Sequence, residues 1–360
     1  MQKRFYMKVS ELGEDLPSER QVAEYLFLAG ISACLRLSWV CRQGPAEISV
    51  RNSMQYKDPT FESVEIGETF GPQVIAMDEH YLRSACFSLS DYSDCYSTID
   101  PAIGYRIVPS AALVRDGVAL FLTKYNPNTV VGLHQAEELW YHAPVPFGGA
   151  VTLTGEYVDK YERRGKGYCV LDVSVHDENG RLLVRQKSTE IMRIPEGIRM
   201  GAGSSATAAG RVSGSVPENV SPVADARLDI PVGTPVPSLK KRAHRDEMAV
   251  FSGIHFDRHN IHTDDNVSSA AGFRARLAQG VQTTCWMSQM LADFFGPAAW
   301  FSSGWMKNVY LQPVYAGDEL TVCGVVTGST EDGRLELEVW TRNQDGLMTA
   351  AGWASAKVGG

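Results

Sequence analysis

The chain has no CxxC pair, no block of like charge and no long uncharged apolar run, and each absence closes off a class of protein. Its seven cysteines, at positions 34, 41, 86, 95, 169, 285 and 323, are odd in number and scattered, which suits reduced thiols in a cytoplasmic protein better than a disulfide framework. The same scatter makes a structural zinc site unexpected, and no metal is expected. A net charge of −8 without a basic cluster argues against nucleic acid as the main partner. The one apolar stretch approaching membrane length, Ala23 to Cys41, is interrupted by Glu24 and Arg36 and follows a charged start without a small-residue cleavage site. A buried helix, and no membrane partner, is the expectation there.

What is present reads as globular, with 44% hydrophobic and 21% charged residues. The stretch from Met200 to Ala226 is rich in Gly, Ser and Ala and reads as a linker. The sequences on its two sides are similar. "GYRIVPSAALVRDGVALFL" from Gly104 matches "GFRARLAQGVQTTCWMSQML" from Gly272 at an offset of 168, and "PVPFGGAVTLTG" from Pro144 matches "PVYAGDELTVCG" from Pro313 at 169. "ENGRL" around Gly180 matches "QDGLM" around Gly346 at 166, and Gly67 matches Gly233 at the same offset. Four matches at nearly one offset indicate a duplicated unit. The division is then an N-terminal extension, partly helical, over 1–55, a first unit over 56–198, a linker over 199–227 and a second unit over 228–360.

Each copy reads as one long apolar helix followed by strands. "ALVRDGVALFLTKY" and "VQTTCWMSQMLADFF" carry apolar residues on more than one helical face, which predicts buried helices. The runs "VTLTGEYVDKY", "YCVLDVSVHD" and "LLVRQKSTEIM", and their counterparts "LTVCGVV", "LELEVWTR" and "MTAAGWASAKV", have strand character. "DENGR" and "NQDGL" carry the glycine signals of hairpins. A central helix wrapped by an antiparallel sheet, twice over, is an α+β architecture.

The segment "DRHNIHTDDNVSSAAGF", Asp257 to Phe273, places a carboxylate five residues before a histidine. That spacing is not the i, i+4 of one helix face, so a loop must curl to bring Asp257 and His262 together. Three readings stand side by side: a reactive pair, a metal site drawn from His255, Asp257, His259 and His262, or a polar turn.

In their order these residues resemble the MaoC-like, or hydratase 2, family of double-hotdog enzymes. The family signature runs D-x-N-P-I-H-x-D, then A-x-x-x-G-F, I-A-H-G-M and K-P-V-x-x-G-D-x-L-x-V. Here stand Asp257, His262 and Asp264, then Gly272 and Phe273, then "LAQGV" around Gly280, then "LQPVYAGDELTV" from Leu311. His259, Asn260 and Gln279 depart from the pattern at positions that shape an acyl pocket, which leaves the substrate open. The resemblance is specific over 229–358, weaker over 60–195, and silent over 1–55.

The family implies a double hotdog that hydrates a 2-enoyl thioester or dehydrates a 3-hydroxyacyl thioester, giving the (R)-3-hydroxy form. It implies no cofactor beyond the coenzyme A or acyl carrier protein that carries the substrate, and a homodimer is possible. Such chemistry needs a proton acceptor, a proton donor and donors for an enolate oxygen. Asp257 and His262 are the expected acid–base pair and the Gly280 N–H at a helix start the oxyanion donor, with Gln279, His259, Gly272 and Phe273 as substrate contacts. In the first copy "SLSDYSDCYSTID" has no histidine and Ala112 stands in the place of Gly280, so that half reads as catalytically empty, a holder for the acyl chain, with Asp91 and Asp94 as solvated loop carboxylates. Two other activities fit the same residues: a hotdog thioesterase, and a non-catalytic acyl-thioester-binding protein of a lipid or polyketide pathway.

Overall fold

Ten strands form one antiparallel sheet in a computed structural model that describes residues 56–126, 132–192, 212–252 and 260–358. The first five are β1 (Thr69–Ala76), β2 (Leu133–Tyr141), β3 (Ala150–Arg163), β4 (Lys166–Asp177) and β5 (Leu182–Ile191). The second five are β6 (Leu239–Arg242), β7 (Trp305–Tyr310), β8 (Glu319–Ser329), β9 (Arg334–Asn343) and β10 (Met348–Lys357). Their spatial order, β1-β3-β4-β5-β2-β7-β10-β9-β8-β6, is a palindrome of the two halves. The duplication is therefore structural: each half has the same strand order, and the halves join edge to edge where Ala136 pairs with Val309 and Trp140 with Trp305.

The strands follow from alternation. In β4, Leu171, Val173 and Val175 are buried while Asp172 and Ser174 between them are less so, the period of a sheet with one face on a core. The hairpins turn at the expected glycines: Gly180 and Gly346 sit at φ 77° and 75°, and their N–H groups donate to Asp177 O and Asn343 O.

The helices are α1 (Glu79–Leu89), α2 (Leu113–Ala119), α3 (Arg245–Phe251), α4 (Asp265–Ala270), α5 (Gly280–Phe295) and α6 (Pro297–Ser303). The long helix expected in the second copy is α5. It is apolar on nearly every side, with Val281, Trp286, Met287, Leu291 and Phe294 all buried, so it must lie inside the sheet. The first copy differs from expectation. Its helical run is a short α2 flanked by 3-10 turns at Ser110–Ala112 and Leu120–Thr123. Gln186 of β5 reaches into it and donates to Val114 O, and a Cβ on Gly117 would collide with that side chain. Glycine weakens the helix and makes room for the sheet side chain that takes over one of its carbonyls.

Two further expectations change. Asp91 is buried rather than solvated: it accepts from Ser93 Oγ at 2.6 Å and from Tyr96 OH at 3.2 Å, closing the turn after α1. Asp94 is exposed as expected. Residues 212–227, at the end of the Gly/Ser/Ala-rich stretch, lie on the second half. Val212 is buried against Val325 and Trp340, the Ser213 N–H donates to Glu338, and the Ala226 N–H donates to Phe294 O. The extension 1–55, including its apolar stretch, falls outside the described residues, and among those described no helix is long and apolar enough to cross a membrane.

Candidate active site

The loop that follows residue 259 is built from local polar turns. Asn260 accepts through its side chain from the His262 N–H at 2.9 Å and through its carbonyl from the Thr263 and Asp264 N–H groups, so His262 sits at the apex of an Asx-type turn. Asp264 then caps α4, accepting from the Asn266 N–H at 2.8 Å. Gly272 ends that helix at φ 87°; its N–H donates to Ser269 O and the next N–H, of Phe273, donates to Ser268 O, the paired bonds of a Schellman stop. Phe273 is buried with Ile261 and Leu277. Both residues, predicted as substrate contacts, thus fix the loop. They also border a surface cavity of about 640 Å³ with Arg274, Pro313, Tyr315 and Asp318. Asp257 and His259 lie in 253–259, outside the described residues.

His262 is tied to the start of the central helix. Its Nδ1 donates to Leu277 O at 2.8 Å, and Leu277 stands three residues before Gly280, the first residue of α5. This bond fixes the neutral tautomer with the lone pair on Nε2. Burial pushes the imidazole down to about 4; the Leu277 bond opposes that and nearby His134 adds to it. At neutral pH the ring is an uncharged base.

The leading N–H groups of a helix have no acceptor inside it and carry the positive end of its dipole. Gly280 supplies such a group, and Gln279 occupies the cap position without a side-chain bond to the helix. The reason for glycine is steric: a Cβ there would stand 2.9 to 3.1 Å from ring carbons of Tyr310. Tyr310 is held from its far end, its hydroxyl donating to Thr284 Oγ1 at 2.6 Å and Thr284 donating on to Asn308 Oδ1 at 3.0 Å. In the first half the corresponding Ala112 lies inside a helical run that opens at Ser110, and its N–H already donates to Pro109 O at 2.9 Å. No donor is left free at that position.

Sequence reading missed Tyr310, Thr284 and Asn308, which come from α5 and the end of β7. Nothing in "WMKNVY" marks them as polar lining; only the packing of α5 on the sheet brings Tyr310 against the helix start. Among the described residues no three His, Cys, Asp or Glu side chains converge as a metal site would require.

Residues 221–345 match the family model described as MaoC like domain. The second half thus resembles a MaoC-like domain, and the described residues from 56 onward have the fold of a double hotdog. No curated protein matches it. Among solved structures it is similar to a MaoC-like dehydratase (14% identity, TM-score 0.65, covering 83% of this chain and 100% of that one). It is also similar to a MaoC domain protein from Chloroflexus aurantiacus (13%, TM-score 0.59, covering 85% and 98%). A third, from Mycobacterium tuberculosis, is described as having a double hotdog fold (14%, TM-score 0.55, covering 83% and 98%). At such identities the likeness carries the fold, the one MaoC-like dehydratases use, and the chemistry rests on this chain's own residues.

Proposed function

We propose that the protein is a hydro-lyase acting on acyl thioesters, adding water to a 2-enoyl group or removing it from a 3-hydroxyacyl group carried by coenzyme A or an acyl carrier protein. The observation that carries the reading is the bond from His262 Nδ1 to Leu277 O, which sets an uncharged imidazole beside the N-terminus of α5. In the dehydration direction a base takes the proton from the α carbon while the thioester oxygen gathers negative charge. The N–H at Gly280 and the dipole behind it meet that charge. The β hydroxyl then leaves as water with a proton from the pair, and hydration runs the same steps backwards. In hydration Asp257 is the base toward water and His262 the acid toward the α carbon; in dehydration the uncharged His262 takes that proton and Asp257 returns one to the hydroxyl, and by family resemblance the hydroxy product is the (R) form. No cofactor is required beyond the carrier thiol that forms part of the substrate.

The test is mass spectrometry of the enzyme incubated with a panel of enoyl and 3-hydroxyacyl thioesters, read for the gain or loss of one water. Asp257→Asn and His262→Ala are each expected to lower turnover by at least about 100-fold, the usual contribution of a positioned acid or base. Wild-type turnover in both variants sinks the assignment of the pair. Release of free thiol without any change in the enoyl group sinks the hydro-lyase reading in favour of thioester hydrolysis.

A further inference from the structure

The inner face of the sheet is polar where the two halves meet, and a histidine of the first half stands at that point. His134, near the start of β2, pairs in register with Glu190 of β5. Gln135 is an extra residue that bulges the strand, so His134 and Glu137 share one face although three positions apart. His134 Nε2 ends 3.2 Å from Glu190 Oε1 and 3.5 Å from Glu137 Oε2, within reach of both carboxyls and aligned for a hydrogen bond with neither. The three side chains are 12%, 10% and 0% exposed for His134, Glu190 and Glu137. Burial holds both carboxyls above the usual range, Glu137 by far the more, even with Ser188 and Gln186 bonded to it. Such a cluster is costly in a core and stable only where its groups share protons.

Two contacts bring it to the site. The His134 ring meets Tyr310 edge-on with centroids 6.0 Å apart, and Tyr310 is the ring that fills the space beside Gly280. Leu133, the preceding residue, packs against Ile261, Phe273 and Leu277 of the loop that holds His262. His134, His262, Gly280 and Tyr310 are all closely surrounded by protein yet each keeps some accessible surface, as residues lining a narrow recess do.

We propose that the site is shared between the two halves: His134, oriented by Glu190, lines the same recess as His262 and hydrogen-bonds the bound acyl thioester. The inference builds on the hydro-lyase reading of His262 and Gly280. Glu190 and Glu137 stand on the Nε2 side of the ring, and the opposite, Nδ1 edge is the one offered to the ligand. His262 is arranged in the same way with its nitrogens exchanged, Nδ1 held by a carbonyl and Nε2 on the far edge of the ring. The first half then contributes a side chain to the reaction as well as space. The titratable groups facing His134 are Glu137 on its own strand, Glu190 on β5, Tyr310 on β7 and His262 on the loop.

The test compares His134→Gln and Glu190→Gln with the wild type, each first checked by thermal melting. His134→Gln is expected to lower kcat/KM at least about tenfold, the loss of one hydrogen bond to the reacting thioester. It should also raise the acidic limb of the pH–rate profile, because His134 no longer opposes protonation of His262. A value of kcat/KM within about twofold of wild type and an unmoved limb overturn the proposal. Glu190→Gln keeps the imidazole but loosens it and should show a smaller loss of about threefold or more. If His134→Gln does not fold, that variant decides, and wild-type kcat/KM in it counts against a shared site. The ring titration of His262, followed by NMR in His134→Gln, needs no turnover. Should Asp257→Asn and His262→Ala prove fully active, the reaction assignment fails by itself. An upward move of His262 still supports the shared recess, and an unchanged titration overturns it.

Discussion

Gly280→Ala tests the helix-start argument most directly, because stability and activity should fall for one steric reason. An added Cβ would lie 2.9, 3.0 and 3.1 Å from Tyr310 Cε2, Cζ and Cδ2. Comfortable carbon contacts begin near about 3.5 Å, so the ring or the helix start must retreat by roughly half an ångström. Tyr310 has little freedom to do so, with its hydroxyl on Thr284 and its backbone paired with Ala350 of β10. Overpacking of this kind costs about 1–3 kcal/mol. Alanine would regain at most about 1 kcal/mol of helix propensity, and less at a first helical position. The net expectation is a loss of about 1–2 kcal/mol, a fall in Tm on the order of 2–6 °C by thermal melting. Displacing the backbone donor should lower kcat by at least about tenfold, toward the 100-fold or more seen when such a donor is removed outright. In a Tyr310→Ala background the same Gly280→Ala change should cost little, since the atoms that collide are gone. An alanine variant as stable and active as the wild type would refute both the steric account of the glycine and the role of its N–H.

The pH dependence of stability should carry the mark of His262. Its folded pKa of about 4 lies below the ordinary value of 6.5, so the unfolded chain binds more protons between those limits and stability falls as pH drops through that window. At about 1.4 kcal/mol per pH unit the loss approaches 3 kcal/mol, and urea titrations of His262→Asn at pH 7 and pH 4.5 should show a correspondingly smaller difference than the wild type. Lys241→Met should cost about 1–3 kcal/mol by the same denaturation assay, because the buried ammonium donates at 2.8 Å to both Leu89 O and Ser90 O at the end of α1 and the variant leaves those carbonyls without that donor. Asp91→Ala should also lower stability by about 1–3 kcal/mol, by freeing Ser93 and Tyr96, while leaving kcat/KM unchanged; a matching loss of turnover would show that the first loop takes part in the reaction.

Much of the fold was legible because it depends on short-range pattern. Alternation announced β3, β4, β5 and β8 to β10, Gly180 and Gly346 marked their hairpins, and the all-round apolar character of 281–295 announced a buried helix opening at Gly280. α1 also carried a readable start, with Asp78 accepting from the Tyr81 N–H and Glu79 in the first turn, but in the absence of a repeat match it went unassigned. The shortened α2 was not legible. Its apolar spacing matches α5, and the difference comes from Gln186, more than sixty residues away, bonding to Val114 O.

The sequence alone determined that this is a duplicated helix-in-sheet protein and that a histidine lies in a polar loop ahead of a glycine-led helix, because repeats, alternation and turn residues are local properties of a chain. Tertiary structure decided what those residues face. Only the antiparallel joining of β2 to β7 sets Asn308 opposite Glu137, and only the packing of α5 on its own half of the sheet brings Tyr310 against Gly280. Only the bulge at Gln135 turns His134 onto the same face as Glu137. Side-chain direction along a strand reverses with every residue, so a single extra residue or a different edge partner changes which groups meet, and no local pattern records that choice.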